Sequence, residues 1–216
     1  MPRQIPGDWC EIGIPDNAVV HDTALIESSL SFEPYRSTAD VGLVMDEGAG
    51  IYNGAVLDVG VSGTVKLGKC CLLTAGIIIC DGRVELGDHC LVSWNVVIMD
   101  TYRASRDLHQ RRIAMQQIIN RSPRRLPENV VEAKPVKIGN NVWIGFDSIV
   151  LPGVTIGDGS IVGCRSVVSE DVPAYCVVAG NPARVVRQLS PLDPNHNPNR
   201  NRLMPDDSEP HSRKGL

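Results

Sequence analysis

The chain has 216 residues, 4% of them aromatic, and a formal net charge of −4. That charge gives no electrostatic reason to expect nucleic acid, and no apolar run approaches the roughly 18 residues a membrane span needs. The opening Met1-Pro2-Arg3-Gln4-Ile5-Pro6 lacks the apolar core of a secretory signal, and the seven cysteines show no paired CxxC spacing, so they read as free structural thiols in a reducing cytoplasm.

Residues 1–60 carry turn clusters at Pro15-Asp16-Asn17 and Asp46-Glu47-Gly48. Val20 with Ile26, and Ile51 with Leu57, hint at one or two irregular coils there. Over residues 61–182 a beat of six becomes legible. Leu67, Leu73 and Ile79 make one run; a one-residue slip leads to Leu86, Val92 and Ile98; and a third run follows at Ile138, Ile144, Val150, Ile156, Val162 and Val168. Neither a helix of period 3.6 nor an isolated strand of period 2 requires that interval. A stacked coil with flat sides of about six residues does, because each side then turns one aliphatic residue inward. Four places after each aliphatic residue stands a small or β-branched one: Val142, Ser148, Val154, Ser160, Ser166 and Val172, with Cys71 and Cys90 in the earlier runs. Glycine follows at Gly139, Gly145, Gly157 and Gly163, in the same phase.

Residues 101–135 leave the beat and return in phase, as an insertion thrown out from one corner. Seven arginines stand in it (103, 106, 111, 112, 121, 124 and 125). Leu108, Met115 and Ile119 recur at helical spacing, which predicts an amphipathic helix from Ser105 to about Asn120. Residues 183–190 read as a short C-terminal helix, and residues 191–216, polar and rich in Pro and Asn, as a disordered tail.

Three words inside Val136–Arg187 carry a resemblance: Lys137-Ile-Gly-Asn-Asn-Val-Trp-Ile-Gly145, Leu151-Pro-Gly-Val-Thr-Ile-Gly157 and Ala179-Gly-Asn-Pro-Ala-Arg184. They resemble the hexapeptide-repeat acyltransferases, in particular the galactoside, maltose and xenobiotic O-acetyltransferase branch. The resemblance implies an all-β, left-handed parallel β-helix, a homotrimer with sites between subunits, and acetyl-CoA or another short acyl-CoA as co-substrate with no metal. It carries cofactor contacts onto Gly145, Phe146, Cys164, Ser169, Glu170, Arg184 and Arg187, and acceptor contacts onto Asp81 and Trp143. Guanidinium forks at Arg184 and Arg187 suit phosphate oxygens, and a spacing of three places them on one face of the expected terminal helix. Gly145 and Gly163 leave room for a ligand beside the backbone.

The resemblance fails at one place. The family's catalytic histidine falls on Arg103, and arginine stays protonated and takes no proton. The family's acceptor-binding asparagine falls on Leu73. Three readings remain open: His109 in the insertion serves as general base; Asp81 or Asp100 takes the proton, or an amine acceptor needs little help; or the chain no longer catalyses and is a binding or scaffold protein. The arginine-rich insertion suggests an anionic, sugar-like acceptor if it folds over the site. Carbonic anhydrases on the same fold need three histidine ligands; His21, His89 and His109 lack the spacing for adjacent coils.

Overall fold

The computed structural model describes residues 3–52, 54–119 and 131–191. Short strands alternate with corner turns, so the chain winds into a three-sided coil of about seven turns. The first turn holds β1 (Ala18–Val20) and β2 (Leu25–Ile26), followed by a 3-10 turn (Ser29–Phe32). The second holds β3 (Leu43–Met45), β4 (Gly50–Tyr52) and β5 (Val56–Val59); the third β6 (Thr64–Leu67), β7 (Leu72–Thr74) and β8 (Ile77–Cys80). The fourth holds β9 (Arg83–Leu86), β10 (Leu91–Val92) and β11 (Val97–Met99), and the insertion with helix α1 (Leu108–Ile118) follows. Then come β12 (Val136–Ile138), β13 (Trp143–Ile144) and β14 (Ile149–Val150), and next β15 (Thr155–Ile156), β16 (Ile161–Val162) and β17 (Val167–Val168). A last partial turn ends in β18 (Cys176–Gly180), against which β19 (Ala183–Gln188) folds back antiparallel.

Each strand pairs in parallel with its counterpart one turn away. The result is a first sheet of six strands (β1-β3-β6-β9-β12-β15), a second of eight (β2-β4-β7-β10-β13-β16-β18-β19) and a third of five (β5-β8-β11-β14-β17). This is the all-β coil expected from the sequence, and it fits a left-handed parallel β-helix. Because paired residues share a face, the inward columns follow from register. In the third sheet Leu57, Ile78, Ile98, Val150 and Val168 stack inside and are buried. Each such side chain contributes about 1.5–3 kcal/mol by leaving water.

The small inner residues also hold adjacent turns together. Cys71 Sγ donates to the Gly87 carbonyl at 2.9 Å, Cys90 Sγ to Gly139 at 3.0 Å, Ser148 Oγ to Gly163 at 2.9 Å and Ser160 Oγ to Pro173 at 2.8 Å. Outside, Asp88 Oδ1 accepts the Lys69 N–H, Asn140 Oδ1 that of Asp88, and Asp158 Oδ1 that of Asn140. The corners between the first and second sheets turn through left-handed residues at Cys70, His89, Asn141, Gly159 and Tyr175.

Four expectations change. The inward residue of the third sheet is Ile78; Ile79 points outward, half-buried, because the corner from Leu73 to Ile78 is one residue shorter than the corners from Val92 to Ile98 and from Ile144 to Val150. The coil begins at residue 18, so residue 60 marks no boundary within it. Residues 183–188 form a strand and not a helix, since Val185 and its neighbours pair with β18. Helix α1 forms over nearly the expected span, capped by Asp107 Oδ1 accepting the Gln110 N–H, but Leu108, Met115 and Ile119 are exposed and Ala114 alone of its described residues is buried. The expectation for residues 192–216 lies outside the described residues. No helix among the described residues is long and apolar enough to cross a membrane.

Candidate functional site

The insertion leaves the coil at the corner between the third and first sheets, and three carboxylates meet it there. Asp58 sits on the outward row of β5, Asp81 in the turn after β8, and Asp100 directly after β11. Arg103, in a left-handed conformation (φ 50°), reaches back across two turns of the coil. Its Nε donates to Asp81 Oδ1 and Oδ2 at 3.0 and 3.1 Å, and its Nη2 to Asp81 Oδ1 at 2.7 Å and the Asp58 carbonyl at 2.9 Å. Its Nη1 donates to Asp58 Oδ2 at 2.6 Å. One hydrogen on Nε, one on Nη1 and two on Nη2 are thus committed, of the five a guanidinium carries. Burial disfavours the charge on Arg103, but hydrogen bonds to Asp81 and Asp58 outweigh it and raise the pKa above its already high ordinary value. Arg103 therefore bridges two carboxylates, one of which, Asp58, Arg36 Nη1 also contacts at 3.4 Å. It is neither a proton acceptor nor an open fork for an anionic acceptor.

The other proposed proton acceptors separate clearly. Asp100 is fully buried; its carboxylate accepts the Asp81 N–H at 2.9 Å, the Gly82 N–H at 2.7 Å and the Cys80 thiol at 3.4 Å. Asp81 is consumed by Arg103. His109 stands exposed in the first turn of α1 and does not line the cavity beside Arg103. Arg111 Nη1 bonds the Ser105 carbonyl at 2.9 Å, and Arg106 lies over the Tyr102 ring at 5.8 Å, so neither offers a bare fork toward Arg103. Arg121, Arg124 and Arg125 lie outside the described residues. Beside the clamp a cavity of about 440 Å³ is lined by Glu33, Arg36, Asp58, Met99, Tyr102 and Arg103 among others.

The cofactor-side residues gather at the C-terminal end of the coil. Gly145, Phe146 and Cys164 lie in the corner between the second and third sheets; Phe146 and Cys164 are exposed on successive turns. Gly145 is buried, and a Cβ there would meet Cys164 N at 2.8 Å and Val162 O at 2.9 Å. Its smallness serves the stacking of turns, which corrects the expectation that it leaves room for a ligand. Ser169 and Glu170 occupy the corner from which the insertion springs one turn-pair earlier. Arg184 and Arg187 pair with Ala179 and Val177, two residues apart on β18, because a bulge absorbs one residue of β19. A bulged strand thus places both guanidinium groups on one face, the outcome that a helix was expected to give. Arg184 Nη2 contacts Glu170 Oε1 at 3.2 Å, with both groups exposed.

Trp143 lies on the outward row of the second sheet, 43% exposed, its Nε1 donating to Ser93 Oγ at 3.2 Å. The proposed site residues are therefore spread over one chain: Asp81 and Arg103 lie at one corner, with Ser169 and Glu170 two turns further along it, Phe146 and Cys164 lie at another, and Trp143 near the third. The sequence reading missed Asp58. Its signal is a lone carboxylate in an outward row that otherwise continues through Ile79 and Met99. Among the described residues no group of three His, Cys, Asp or Glu side chains could hold a metal ion.

The family model described as bacterial transferase hexapeptide (six repeats) matches residues 135–170. The galactoside O-acetyltransferase of Escherichia coli (strain K12) is 51% identical over 59 residues, 27% of this chain and 29% of that protein. The chloramphenicol acetyltransferase of Agrobacterium fabrum is 51% identical over 51 residues, 24% of each chain. The chain thus spans less than a third of the length of these curated relatives. A galactoside acetyltransferase solved in complex with coenzyme A is 29% identical, with a TM-score of 0.52 over 68% of this chain and 64% of that one. A hexapeptide-repeat acetyltransferase of Vibrio cholerae, solved with acetyl coenzyme A, is 24% identical and shares the fold, with a TM-score of 0.55 over 74% and 75%. Residues 135–170 thus carry the hexapeptide repeat of the bacterial transferases, and the resemblance read from the sequence is borne out there.

Proposed function

We propose that this chain is an acyl-CoA-dependent acyltransferase, an O-acetyltransferase by preference, that works in the cytoplasm as a homotrimer. The observation that carries the reading is the gathering of exposed Phe146 and Cys164, with Arg184 and Arg187 on one face, at the same end of the coil. A pantetheine arm laid along the corner and phosphates met by two guanidinium forks use that arrangement. The Arg184–Glu170 pair is exposed and weak, on the order of 0–1 kcal/mol, so a phosphate displaces Glu170 readily. Identity with a galactoside O-acetyltransferase and likeness to a structure holding coenzyme A support the same chemistry.

Association into a trimer has its own support. The outward row of the second sheet runs Leu25, Leu72, Leu91, Trp143, Ile161 and Val177, and that of the third runs Val56, Ile77, Val97, Ile149 and Val167. The outward row of the first sheet begins with Val19 and Val44 but from the third turn on shows Lys66, Glu85, Lys137 and Thr155 to water. Two apolar faces and one polar face suit three prisms packed side by side. Such packing also lets the acceptor side of one copy meet the cofactor side of the next. In this reading the acceptor hydroxyl attacks the thioester carbonyl, the CoA thiolate leaves, and His109 takes the hydroxyl proton.

A scaffold is the second reading, favoured by the clamp at Arg103. Calorimetry with acetyl-CoA separates the two. Micromolar binding, lost in the Arg184→Ala/Arg187→Ala double variant, supports the transferase; no heat from fully assembled wild type favours the scaffold.

A further inference from the structure

Trp94 stands in the corner after β10, 54% exposed. Its indole makes no side-chain hydrogen bond among the described residues, whereas the Nε1 of Trp143 is spent on Ser93. An indole offers about 150–250 Å² of surface, and leaving half of it in water does nothing for the fold.

Backbone hydrogen bonds show what the ring is in line with. The Asn95 N–H donates to the Ala75 carbonyl at 3.1 Å, the Asp147 N–H to that of Trp94 at 3.0 Å and the Arg165 N–H to that of Phe146 at 2.9 Å. Ala75, Trp94 and Phe146 therefore form one column, which Cys164 continues, on successive turns of a single corner. This column is the edge where the second and third sheets meet and lies on neither apolar face. Trp94 is open to a ligand wherever Phe146 and Cys164 are.

What reaches Trp94 follows from length. From phosphate to sulfur a pantetheine arm has about twelve bonds, which at about 3.5 Å for every three bonds of extended chain reaches about 14 Å. Turns stack about 4.8 Å apart, so the arm spans about three of them. Counted from β18, with which Arg184 and Arg187 pair, these pass β16 and Cys164, then β13 and Phe146, and end at β10 and Trp94. One turn further stands Ala75, whose methyl leaves a step beside the indole.

We infer that Trp94 receives the acyl group of the donor thioester, and that three- and four-carbon acyl groups bind more tightly than acetyl. A methyl covers little of an indole face, and each further carbon laid on it across the step at Ala75 leaves water. The inference rests on the proposed acyl-CoA reading and adds to it the residue that distinguishes one acyl group from another. Phe146, one turn nearer the phosphates, meets only the arm that every acyl-CoA shares.

The test is calorimetry on the full chain with free CoA, acetyl-CoA and butyryl-CoA. In wild type the affinity rises in that order, by about fourfold for each carbon buried. Trp94→Ala leaves free CoA unchanged and brings both acyl-CoAs to within about twofold of it. Trp94→Phe keeps an apolar ring and restores most of the order, while Phe146→Ala weakens all three alike. Trp94 is exposed, so its truncation spares the fold. A flat series in wild type, a Trp94→Ala variant that keeps the series, or one that weakens free CoA as much as butyryl-CoA overturns the assignment and leaves the CoA reading intact. No binding of free CoA by assembled wild type overturns both.

Discussion

Arg103 Nε donates to both carboxylate oxygens of Asp81, at 3.0 and 3.1 Å, while its Nη1 holds Asp58 from the turn below. The position where the family resemblance expects a histidine is thus occupied by the centre of a largely buried ion triad. Breaking such a group by removing one partner is strongly destabilising, because the remaining charges lose their compensation. Arg103→Ala therefore lowers unfolding free energy by about 3 kcal/mol. Arg103→Lys recovers part of the loss, since an ammonium cannot span two carboxylates as a fork does. Urea midpoints measure both. A loss below about 0.5 kcal/mol for Arg103→Ala, as at an ordinary surface site, would show that the clamp does not hold the insertion.

The inward register of the third sheet is tested by a neighbouring pair. Ile78 is completely buried, and Ile78→Ala costs about 2–5 kcal/mol in transfer and cavity terms. Ile79 faces outward beside the clamp, and Ile79→Ala costs under about 1 kcal/mol in a dissociated chain, within the range of partly exposed sites. Equal losses at the two positions would return the inward column to Ile79.

The beat of six was legible because one aliphatic side chain per side must turn inward and because the turns keep a fixed length from Ile138 to Val168. It misled at Ile79 because the corner from Leu73 to Ile78 is one residue shorter than its counterparts on later turns, which side-chain identity there does not announce. Ala183–Gln188 was misread for a different reason. Arginines three apart suit a helix, and only the presence of β18 as a pairing partner makes the strand the better solution. At the site, the exclusion of Arg103 as a base followed from its chemistry alone. What it does followed only from the fold, since Asp58 stands 45 residues away in sequence. Cys71 and Cys90 were legible as small fillers, but their thiol hydrogen bonds to the next turn needed the register.

Acid stability has one identifiable contributor at the N-terminal end. Asp8 is held to about 2 chiefly by the Ser29 hydroxyl, against opposing desolvation and with help from the backbone N–H groups of Ser29 and Cys10. Its folded pKa lies below the ordinary 3.8, so its contribution is present above that value and is lost as pH falls toward 2. Asp8→Asn removes this part of the pH dependence. Between pH 4 and 2 the variant's melting temperature falls less steeply than that of the wild type. Parallel curves would show that the carboxylate is not held by these bonds when folded.

The thiols divide by position. Cys71 is pushed up by its bond with Cys90 and by burial, and Cys80 by burial and by the Asp100 carboxylate beside it. Kept protonated and shielded from solvent, Cys71 and Cys80 are inert to disulfide reagents, since the thiolate is the nucleophile; the bond that raises Cys71 lowers Cys90, which its burial alone protects. Cys70 and Cys164 are exposed. Native protein therefore releases the chromophore of a disulfide reagent rapidly from Cys70 and Cys164, and the buried thiols follow only after denaturant. On the proposed cofactor path, acetyl-CoA slows Cys164 and spares Cys70, read by peptide mass spectrometry. Equal protection of both, or of neither, would remove Cys164 from that path.

The outer faces predict how the chain associates. Leu91 and Ile149 stand in the middle of the two apolar rows, while Lys137 stands in the polar row of the first sheet. A charge placed in the desolvated centre of an interface is left without compensation, whereas a change of sign on a solvated face is close to neutral. Leu91→Asp and Ile149→Asp each dissociate the assembly, with sedimentation moving from three chains toward one, and Lys137→Glu leaves it intact. The two faces are distinguishable because a ring of three needs both: each copy offers its second sheet to one neighbour and its third sheet to the other. If Leu91→Asp alone dissociates the protein and Ile149→Asp stops at pairs or has no effect, the contact is a two-fold one through the second sheet. The acceptor corner and the cofactor corner would then have to be joined by some route other than a closed trimer.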